Sequence, residues 1–465
     1  MSVTLPSPIL APHGLGASHV RYRVLGLVSS LAVLTYIDRI CIQRVKPDIQ
    51  QDLGLSDQEF GFVFSAFMVG YAILEMPVGW LSDIWGSRSV ILRIVLWWSL
   101  FTALTGAVYN FWPGTAFHIP TPGGWIAVGW GLASLVLVRF LFGCGEAGVY
   151  PTLANVIRMW FPLTERGFAQ GVILMSNRIG SALSPVIVGI LAGLVGWRWS
   201  FVILGLAGVG WAVIFAGVFR ERPAEHPDVN AGELALIGTP PMARAHGGPP
   251  IPWRQAIRRP TIWAMGLLYF LSIGFGWAFF VTWQPDYLKH RFGLSFQDSQ
   301  WWIGLPYLCG AAGCILGGQL SDFILRRTGS LRWARSLVAI AGLTVAGICF
   351  LAASIFANTW QSTVVLFAIG AFASDMLLAP YWAAITDVGG RFTGTLAGFF
   401  NMMALLGAAI FAVLVPWLVK HGLEWQQVLQ MIAAAWLTAA ALWLIVDAGK
   451  PLLPPDKPHL PEVDG

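Results

Sequence analysis

Twelve stretches of the chain are apolar enough, and long enough at about 20 residues, to form helices that cross the hydrocarbon core of a bilayer. They fall at roughly 22–42, 60–82, 90–110, 127–158, 167–194, 200–219, 261–286, 300–324, 336–356, 362–386, 393–419 and 427–447. The expectation is an all-α membrane protein with twelve transmembrane helices. Composition points the same way: of 465 residues 56% are apolar and 11% charged, and the mean hydropathy of +0.68 lies far outside the range of soluble globular domains. A net charge of +5 and a pI near 9.0 could suggest a nucleic-acid partner, but the basic residues are scattered through short connecting loops. No nucleic acid is expected. The cysteines Cys41, Cys144, Cys309, Cys314 and Cys349 lack metal-ligand spacing and read as small buried hydrophobes, so no metal is expected.

Lys and Arg are divided unevenly between alternate loops. With the N-terminus inside, one set holds Arg21, Arg23, Arg88, Arg93, Arg158, Arg166, Arg220, Arg222, Arg326, Arg327, Arg332 and Arg335 among others, whereas the opposite set holds only Arg44, Lys46, Arg198, Lys289, Arg291 and Lys420. The positive-inside rule then puts both termini on the cytoplasmic side of a plasma (inner) membrane. Residues 1–20 lack an apolar h-region and read as a cytoplasmic tail, not a cleaved signal peptide. The long polar interruption 220–260 is rich in Pro, Gly and charge and reads as a cytoplasmic linker between two six-helix bundles, 21–219 and 261–447, with 448–465 as the C-terminal tail.

The halves echo each other. Gly79-Trp80-Leu81-Ser82-Asp83 after the second helix recurs as Gly318-Gln319-Leu320-Ser321-Asp322 after the eighth, and Arg166-Gly167-Phe168-Ala169-Gln170-Gly171 has a looser echo in Arg391-Phe392-Thr393-Gly394-Thr395-Leu396. Duplicated six-helix units of this kind build pseudo-symmetric carriers, which hold cargo near the bilayer midplane and alternate access by rocking one half against the other.

Two segments place charge at a costly depth. The run from Arg139 to Pro151 puts Arg139 and Glu146 on one face, seven residues or two helical turns apart. Tyr36-Ile37-Asp38-Arg39 carries the same charge types in the first apolar stretch. Each such residue costs roughly 2.5–3.5 kcal/mol at a helix centre, so the set needs partners or a watery cavity. Arg39 offers a permanently charged, bidentate clamp for a carboxylate. The plain alternative is that it neutralises Asp38, although adjacent helical residues do not face each other. Glu146 is expected to carry a coupling proton, with Asp38 second and Arg139 keeping one of the two carboxylates ionised; a static buried ion network is the competing reading. The proton is then the coupling ion, and no cofactor is expected.

At this point the residues resemble a known family. The segment Gly79-Trp80-Leu81-Ser82-Asp83-Ile84-Trp85-Gly86-Ser87-Arg88 resembles the loop signature of the major facilitator superfamily. More narrowly, Tyr36-x-Asp38-Arg39, Gly61 to Phe67 with Tyr71, Arg139 to Pro151, Trp160 to Arg166 and Thr282 to Leu288 resemble its anion:cation symporter branch, which includes bacterial galactonate, glucarate and hexuronate carriers and the sialin-like carriers. The resemblance runs from about Val24 to Ile445. It implies a secondary active transporter that imports a small organic anion, a sugar acid such as a hexonate, hexarate or hexuronate, with protons by alternating access. It also implies that Tyr36, Tyr71 and Asn177 line the sugar-acid site, each with ordinary interhelical hydrogen bonding as the alternative. Asn401 is the corresponding position in the second half, and Trp382 a wall of the cavity.

Other charges have separate readings. Arg178, beside Asn177, is either a second anion contact, suggesting a dicarboxylate or more acidic substrate, or the partner of Glu75. Asp375 would repel an anion if ionised in the cavity, which argues for a protein partner. Asp83 and Arg88 are expected to form a conformational latch, Asp83 touching a neighbouring helix terminus when the carrier is open outward and losing it on inward opening. The second copy lacks a downstream Gly-x-Arg, and Arg326, Arg327, Arg332 and Arg335 read as loop solubility and positive-inside charge. Trp283 and Tyr287 fit an interfacial aromatic belt. Phe111 to Gly124 reads as an overlong loop with an exposed His118.

A channel would share the buried charges, but the repeat and the latch favour alternating access. No clustered acids at metal spacing point to a membrane enzyme, so no enzyme is expected. A proton-coupled exporter of drugs or other non-sugar compounds is the main rival, with a carrier of aromatic carboxylates beside it; the paired Arg39 and Arg139 favour an anionic cargo. The carrier is expected to act as a monomer.

Overall fold

Backbone groups inside a bilayer must bond within their own segment, which helices do. The computed structural model describes residues 16–109, 115–121, 124–238, 251–294 and 296–452. The first half comprises α1 (Val20–Arg44), the short α2 (Lys46–Leu53), α3 (Asp57–Trp85), α4 (Ser87–Gly106), α5 (Trp130–Glu146), α6 (Val149–Trp160) and α7 (Arg166–Val218). Two short helices follow, α8 (Ala231–Ile237) and α9 (Trp253–Ala256). The rest comprises α10 (Pro260–Leu271), α11 (Gln284–Phe292), α12 (Phe296–Thr328), α13 (Leu331–Phe356), α14 (Trp360–Asp375), α15 (Leu378–Gly389), α16 (Thr393–Lys420) and α17 (Trp425–Leu442). Among the described residues, nine helical segments are long and apolar enough to cross a membrane; that at 166–218 is two helices joined at Gly196, and that at 360–420 spans α14 to α16.

Several apolar stretches read as single helices are broken. The stretch 127–158 divides at Ala147–Gly148, where Gly148 takes φ 84°, and a Cβ there would lie 2.3 Å from Val78 Cγ1. Glu146 is therefore the last residue of α5. The stretch 362–386 divides similarly, leaving Asp375 as the last residue of α14. The stretch 261–286 passes from α10 through two π-helical segments, Ser272–Trp277 and Phe279–Trp283, before α11. Such widened turns cluster at functional sites. The overlong loop is in part a hairpin, β1 (Thr115–Thr121) paired antiparallel with β2 (Gly124–Gly129), in which His118 is exposed and faces Ala127 across the strands. Among the described residues this is the exception to an otherwise helical fold; 111–114 and 122–123 of the expected loop lie outside them.

Within the first half α1 and α4 pack on α7, and α3 on α5; within the second α12 packs on α14 and α13 on α17. Beside the packing of α6 and α7 on α15 and of α6 on α16, two more extensive crossings join the halves, α3 with α16 and α12 with α7. Both are made by glycine pairs. A Cβ on Gly79 would lie 2.2 Å from the Gly394 carbonyl oxygen, and one on Gly318 would lie 2.2 Å from that of Gly167. Only a residue without a side chain lets the backbones approach so closely. One end of the bundle gathers the first described residues, the linker and the last ones: Arg21 pairs with Glu165 at 2.9 Å, Glu233 of α8 accepts from the Val20 and Arg21 N–H groups at 2.9 and 3.0 Å, and the Leu452 N–H reaches the Val388 carbonyl at 3.0 Å. We call this the linker face.

Candidate binding cavity

Between the halves lies a cavity of about 110 Å³. From the first half it is lined by Tyr36 and Arg39 of α1, Tyr71 of α3, Tyr150 of α6 and Asn177 and Arg178 of α7; from the second by Tyr269 of α10, Trp382 of α15 and Asn401 of α16. All seven residues expected to touch substrate are brought to this one space. Its walls are preorganised by their own bonds. The Tyr150 hydroxyl donates to Asn177 Oδ1 at 3.0 Å, the Trp382 indole donates to the Tyr269 hydroxyl at 3.1 Å, and the Tyr150 and Trp382 rings meet across the halves at 6.2 Å. Asn401 Nδ2 donates to Oε1 of the fully buried Glu75 on α3. Tyr150, Tyr269 and Glu75 were not assigned to the site from the sequence. Tyr150 stands inside the Arg139–Pro151 run and was within reach of that reading; for Tyr269 no sequence signal distinguishes it from a buried aromatic.

The two costly charged segments meet each other, as expected, but not through Arg139. Arg39 Nε donates to Glu146 Oε1 at 3.0 Å and Nη2 lies 2.9 Å from the same oxygen, so Arg39 neutralises Glu146, not Asp38. The Arg39 guanidinium lies over the Tyr71 and Tyr36 rings at 4.8 and 4.9 Å, which hold its plane. Arg139 contacts neither acid directly among the described residues; its guanidinium lies 4.4 Å over the Phe142 ring and acts on Asp38 and Glu146 only through space. Asp38 is buried and lies within the fields of Glu146 and Arg139. Arg178 pairs with Asp375 at 2.7 Å, across the halves, and not with Glu75. Trp283 and Tyr287 belong to the packing of the second half, where Tyr287 is fully buried against Phe279, Phe367 and Trp425.

At the linker face, Asp83 accepts from the N–H groups of Gly394 and Thr395, both at 2.8 Å, in the first turn of α16, and from Asn155 Nδ2 at 2.8 Å. A carboxylate there faces the positive end of the helix dipole. Arg88 is elsewhere: its guanidinium donates to the Ala216 carbonyl and its N–H to Glu221, so it braces α4 against the end of α7. The second copy, which the sequence left incomplete, makes the mirror contact. Asp322 accepts from Gly167 and Phe168 N–H at 3.1 and 2.7 Å in the first turn of α7. Arg335 is no loop charge: it is fully buried, bonded to Asp322 at 2.8 Å, to Asp387 at 3.0 Å and to the Leu163 carbonyl at 3.1 Å, while Arg166 holds the other oxygen of Asp387 at 2.8 Å.

A duplicated bundle, a polar cavity at the junction of its halves and paired acid-to-helix contacts at one end define a known architecture. The family model described as Major Facilitator Superfamily matches residues 28–331. The chain belongs to the major facilitator superfamily. Among curated relatives, it is 32% identical over 445 residues to the probable sulfoacetate transporter of Cupriavidus necator, covering 94% of this chain and 96% of that one. It is 29% identical to the probable galactarate/D-glucarate transporter of Bacillus subtilis, with 92% of each chain covered. Among solved structures, a proton:xylose symporter bound to 6-bromo-6-deoxy-D-glucose shares the fold with a TM-score of 0.68 at 15% identity, covering 93% of this chain and 97% of the other. As a superfamily member the chain is a multi-pass protein of the plasma membrane, and a transporter, not an enzyme. In superfamily terms, the cavity lies where the two repeats meet.

Proposed function

We propose that this transporter imports a small organic anion, a sugar acid in the first instance, together with protons by alternating access. The observation that carries the reading is the Arg39–Glu146 pair: a guanidinium on the cavity wall whose present counter-ion is a buried carboxylate, with one oxygen left without a hydrogen-bond partner among the described residues. Protonation of Glu146 removes that counter-charge and frees Arg39 for the carboxylate of the cargo. Tyr36, Tyr71, Asn177 and Asn401 supply hydroxyl and amide partners for a polyol, with Trp382 as wall and Arg178 as a further contact. Asp38 and Arg139 set the field in which Glu146 changes charge. The names of the relatives, a sulfoacetate and a galactarate/D-glucarate transporter, support an acidic cargo.

The same reading assigns twelve crossings with both termini cytoplasmic, bundles at 21–219 and 261–447, a linker at 220–260 and tails at 1–20 and 448–465, in a monomer that needs no cofactor beyond the proton. With the linker face cytoplasmic, the Asp83 and Asp322 contacts close the inner end, so the cavity belongs to the state reached from outside. Uptake of labelled sugar acid into proteoliposomes tests it. Accumulation is expected only when the pH gradient is directed inward, with inhibition by excess sugar acids and not by lipophilic cations. Accumulation indifferent to the gradient, or inhibition by the cations alone, would overturn the reading.

A further inference from the structure

Arg178 reaches the same cavity as Arg39, from α7, and is tied to Asp375 of α14 at 2.7 Å with the two side chains 13% and 10% exposed. The two arginine–acid pairs are built alike. Each acid is the last residue of its helix, Glu146 of α5 and Asp375 of α14, beside the break that precedes the next helix. A carboxylate there meets the negative end of the helix dipole. Local helix preference therefore does not explain either acid, and positions that break a local rule concentrate at working sites.

Behind the second pair is a small cavity of about 20 Å³, lined by Arg178, Asp375, Ser272, Ser374 and Tyr307 among others. Ile273 and Trp277, from the π-helical turn, line both cavities, so the Arg178–Asp375 pair stands at the wall between them. The Ser272 hydroxyl is buried, 2% exposed as a residue, and has no hydrogen-bond partner among the described residues. A buried hydroxyl without a partner is unfavourable unless something fills the place.

We propose that Arg178 and Ser272 form a second anion subsite and that the cargo is a dianion, one acid group held by Arg39 and the other by Arg178 with the Ser272 hydroxyl donating to it. This rests on the organic-anion reading above and adds the second charge. The far acid group takes the place of Asp375 as counter-charge to Arg178 once the Asp375 carboxylate takes up a proton, as the near one takes the place of Glu146 at Arg39 when Glu146 is protonated. A mono-acid of the same length leaves Arg178 with Asp375 and gains from one clamp only.

The test uses purified full-length protein and two pairs of ligands matched in length: D-glucarate with D-gluconate, and sulfoacetate with glycolate. Isothermal titration is expected to show the dianion of a recognised pair binding about tenfold or more tighter than its mono-acid. The double substitution Arg178→Gln with Asp375→Asn removes both charges together, leaving no lone buried ion. It is expected to bring the dianion-to-mono-acid ratio close to one. Ser272→Ala, which perturbs the fold least, is expected to lower the same ratio severalfold. Equal binding of dianion and mono-acid by the wild type, or an unchanged ratio in Ser272→Ala and in a folded double variant, overturns the second subsite. Binding of a mono-acid alone overturns it as well but leaves the organic-anion reading standing, whereas binding of no ligand in either pair removes both.

Discussion

Arg39 places Nε 3.0 Å and Nη2 2.9 Å from a single oxygen of Glu146, and the other oxygen, buried, has no hydrogen-bond partner among the described residues. The pair is therefore held from one side only. Replacing the carboxylate by an amide keeps the shape and the accepting oxygen while fixing the group as neutral, the state proposed to admit cargo. Glu146→Gln is expected to retain exchange of labelled sugar acid across proteoliposomes at near wild-type rates but to lose accumulation driven by a pH gradient. Gradient-driven uptake at wild-type level in that variant would remove Glu146 from coupling.

The Arg39 guanidinium lies over both the Tyr36 and Tyr71 rings, at 4.9 and 4.8 Å, an arrangement that suits a planar guanidinium and not a compact ammonium. Arg39→Lys keeps the charge against Glu146 and so avoids stranding a buried carboxylate, a change that costs roughly 3–5 kcal/mol when one partner of a buried pair is deleted. Its thermal unfolding should stay close to wild type while sugar-acid affinity falls about tenfold or more, or ~1.4 kcal/mol. Wild-type affinity in the lysine variant, read by titration, would show that Arg39 does not grip the cargo.

The linker-face contacts depend on backbone proximity as much as on Asp83 and Asp322. A methyl group on Gly79 would sit 2.2 Å from the Gly394 carbonyl oxygen, so Gly79→Ala is expected to keep the fold but prevent α3 and α16 from closing. Spin labels at the exposed positions of Trp85 and Phe323, on opposite halves, should then report a longer distance, and transport should be lost. An unchanged distance distribution would show that this crossing does not govern closure.

Glu233 of the linker helix α8 joins the start of α1, accepting from the Ser18 hydroxyl, the Val20 and Arg21 N–H groups and the Arg21 guanidinium. Burial alone would raise its carboxyl, but the bonds from Ser18, from the Arg21 and Val20 N–H groups and from the Arg21 side chain outweigh it and hold the group below its ordinary value. A depressed carboxylate contributes stability that is present above its unfolded pKa, about 4.3, and is lost as pH falls through the lower folded value. Glu233→Gln should therefore lower the melting temperature at pH 7, and the gap to wild type should close on acidification below about pH 4. A gap that does not depend on pH would mean that the carboxylate charge contributes nothing there.

Helix positions, the repeat and Arg39 were legible because each leaves a local trace: hydropathy over some twenty residues, a recurring Gly-x-x-Ser-Asp, and charge at a depth where charge is costly. The uncharged lining residues Tyr36, Tyr71, Asn177, Asn401 and Trp382 leave no such trace and were read from the family resemblance. What could not be read was pairing. Arg178 and Asp375 are 197 residues apart, and nothing near Arg178 distinguishes Asp375 from Glu75 as its partner. Arg335 looked like a loop charge because the residues that bury it, Asp322, Asp387 and Leu163, arrive from three other parts of the chain. The π-helical turns at Ser272 and Phe279 were hidden for a different reason. They change the hydrogen-bond register of the backbone while leaving hydropathy continuous, so an apolar run reads the same with or without them. The Thr115–Gly129 hairpin departs from the expected loop and helix start because its strands are short, and β2, Gly-Trp-Ile-Ala-Val-Gly, is as apolar as the helix that follows it.

Asn401 and Glu75 carry the last test, because their hydrogen bond ties α16 to α3 directly beneath the cavity that Asn401 lines. Glu75 is fully buried and its second oxygen has no hydrogen-bond partner among the described residues, so the amide of Asn401 is the contact that positions it. Asn401→Asp sets a second acid against the first and should destabilise the protein by about 1–3 kcal/mol, the cost of an unsatisfied buried group. Adding Glu75→Gln exchanges acid and amide across the same crossing, so the hydrogen bond can re-form with donor and acceptor reversed. The double variant is expected to recover most of the lost stability, giving a coupling energy within the roughly 0.5–3 kcal/mol seen for residues in contact. Transport should not return with it, since the acid now faces the cavity where the anion must sit. Additive stability losses in the two single variants would mean that the pair does not hold the halves together, and recovery of transport in the double variant would mean that Asn401 has no contact with cargo.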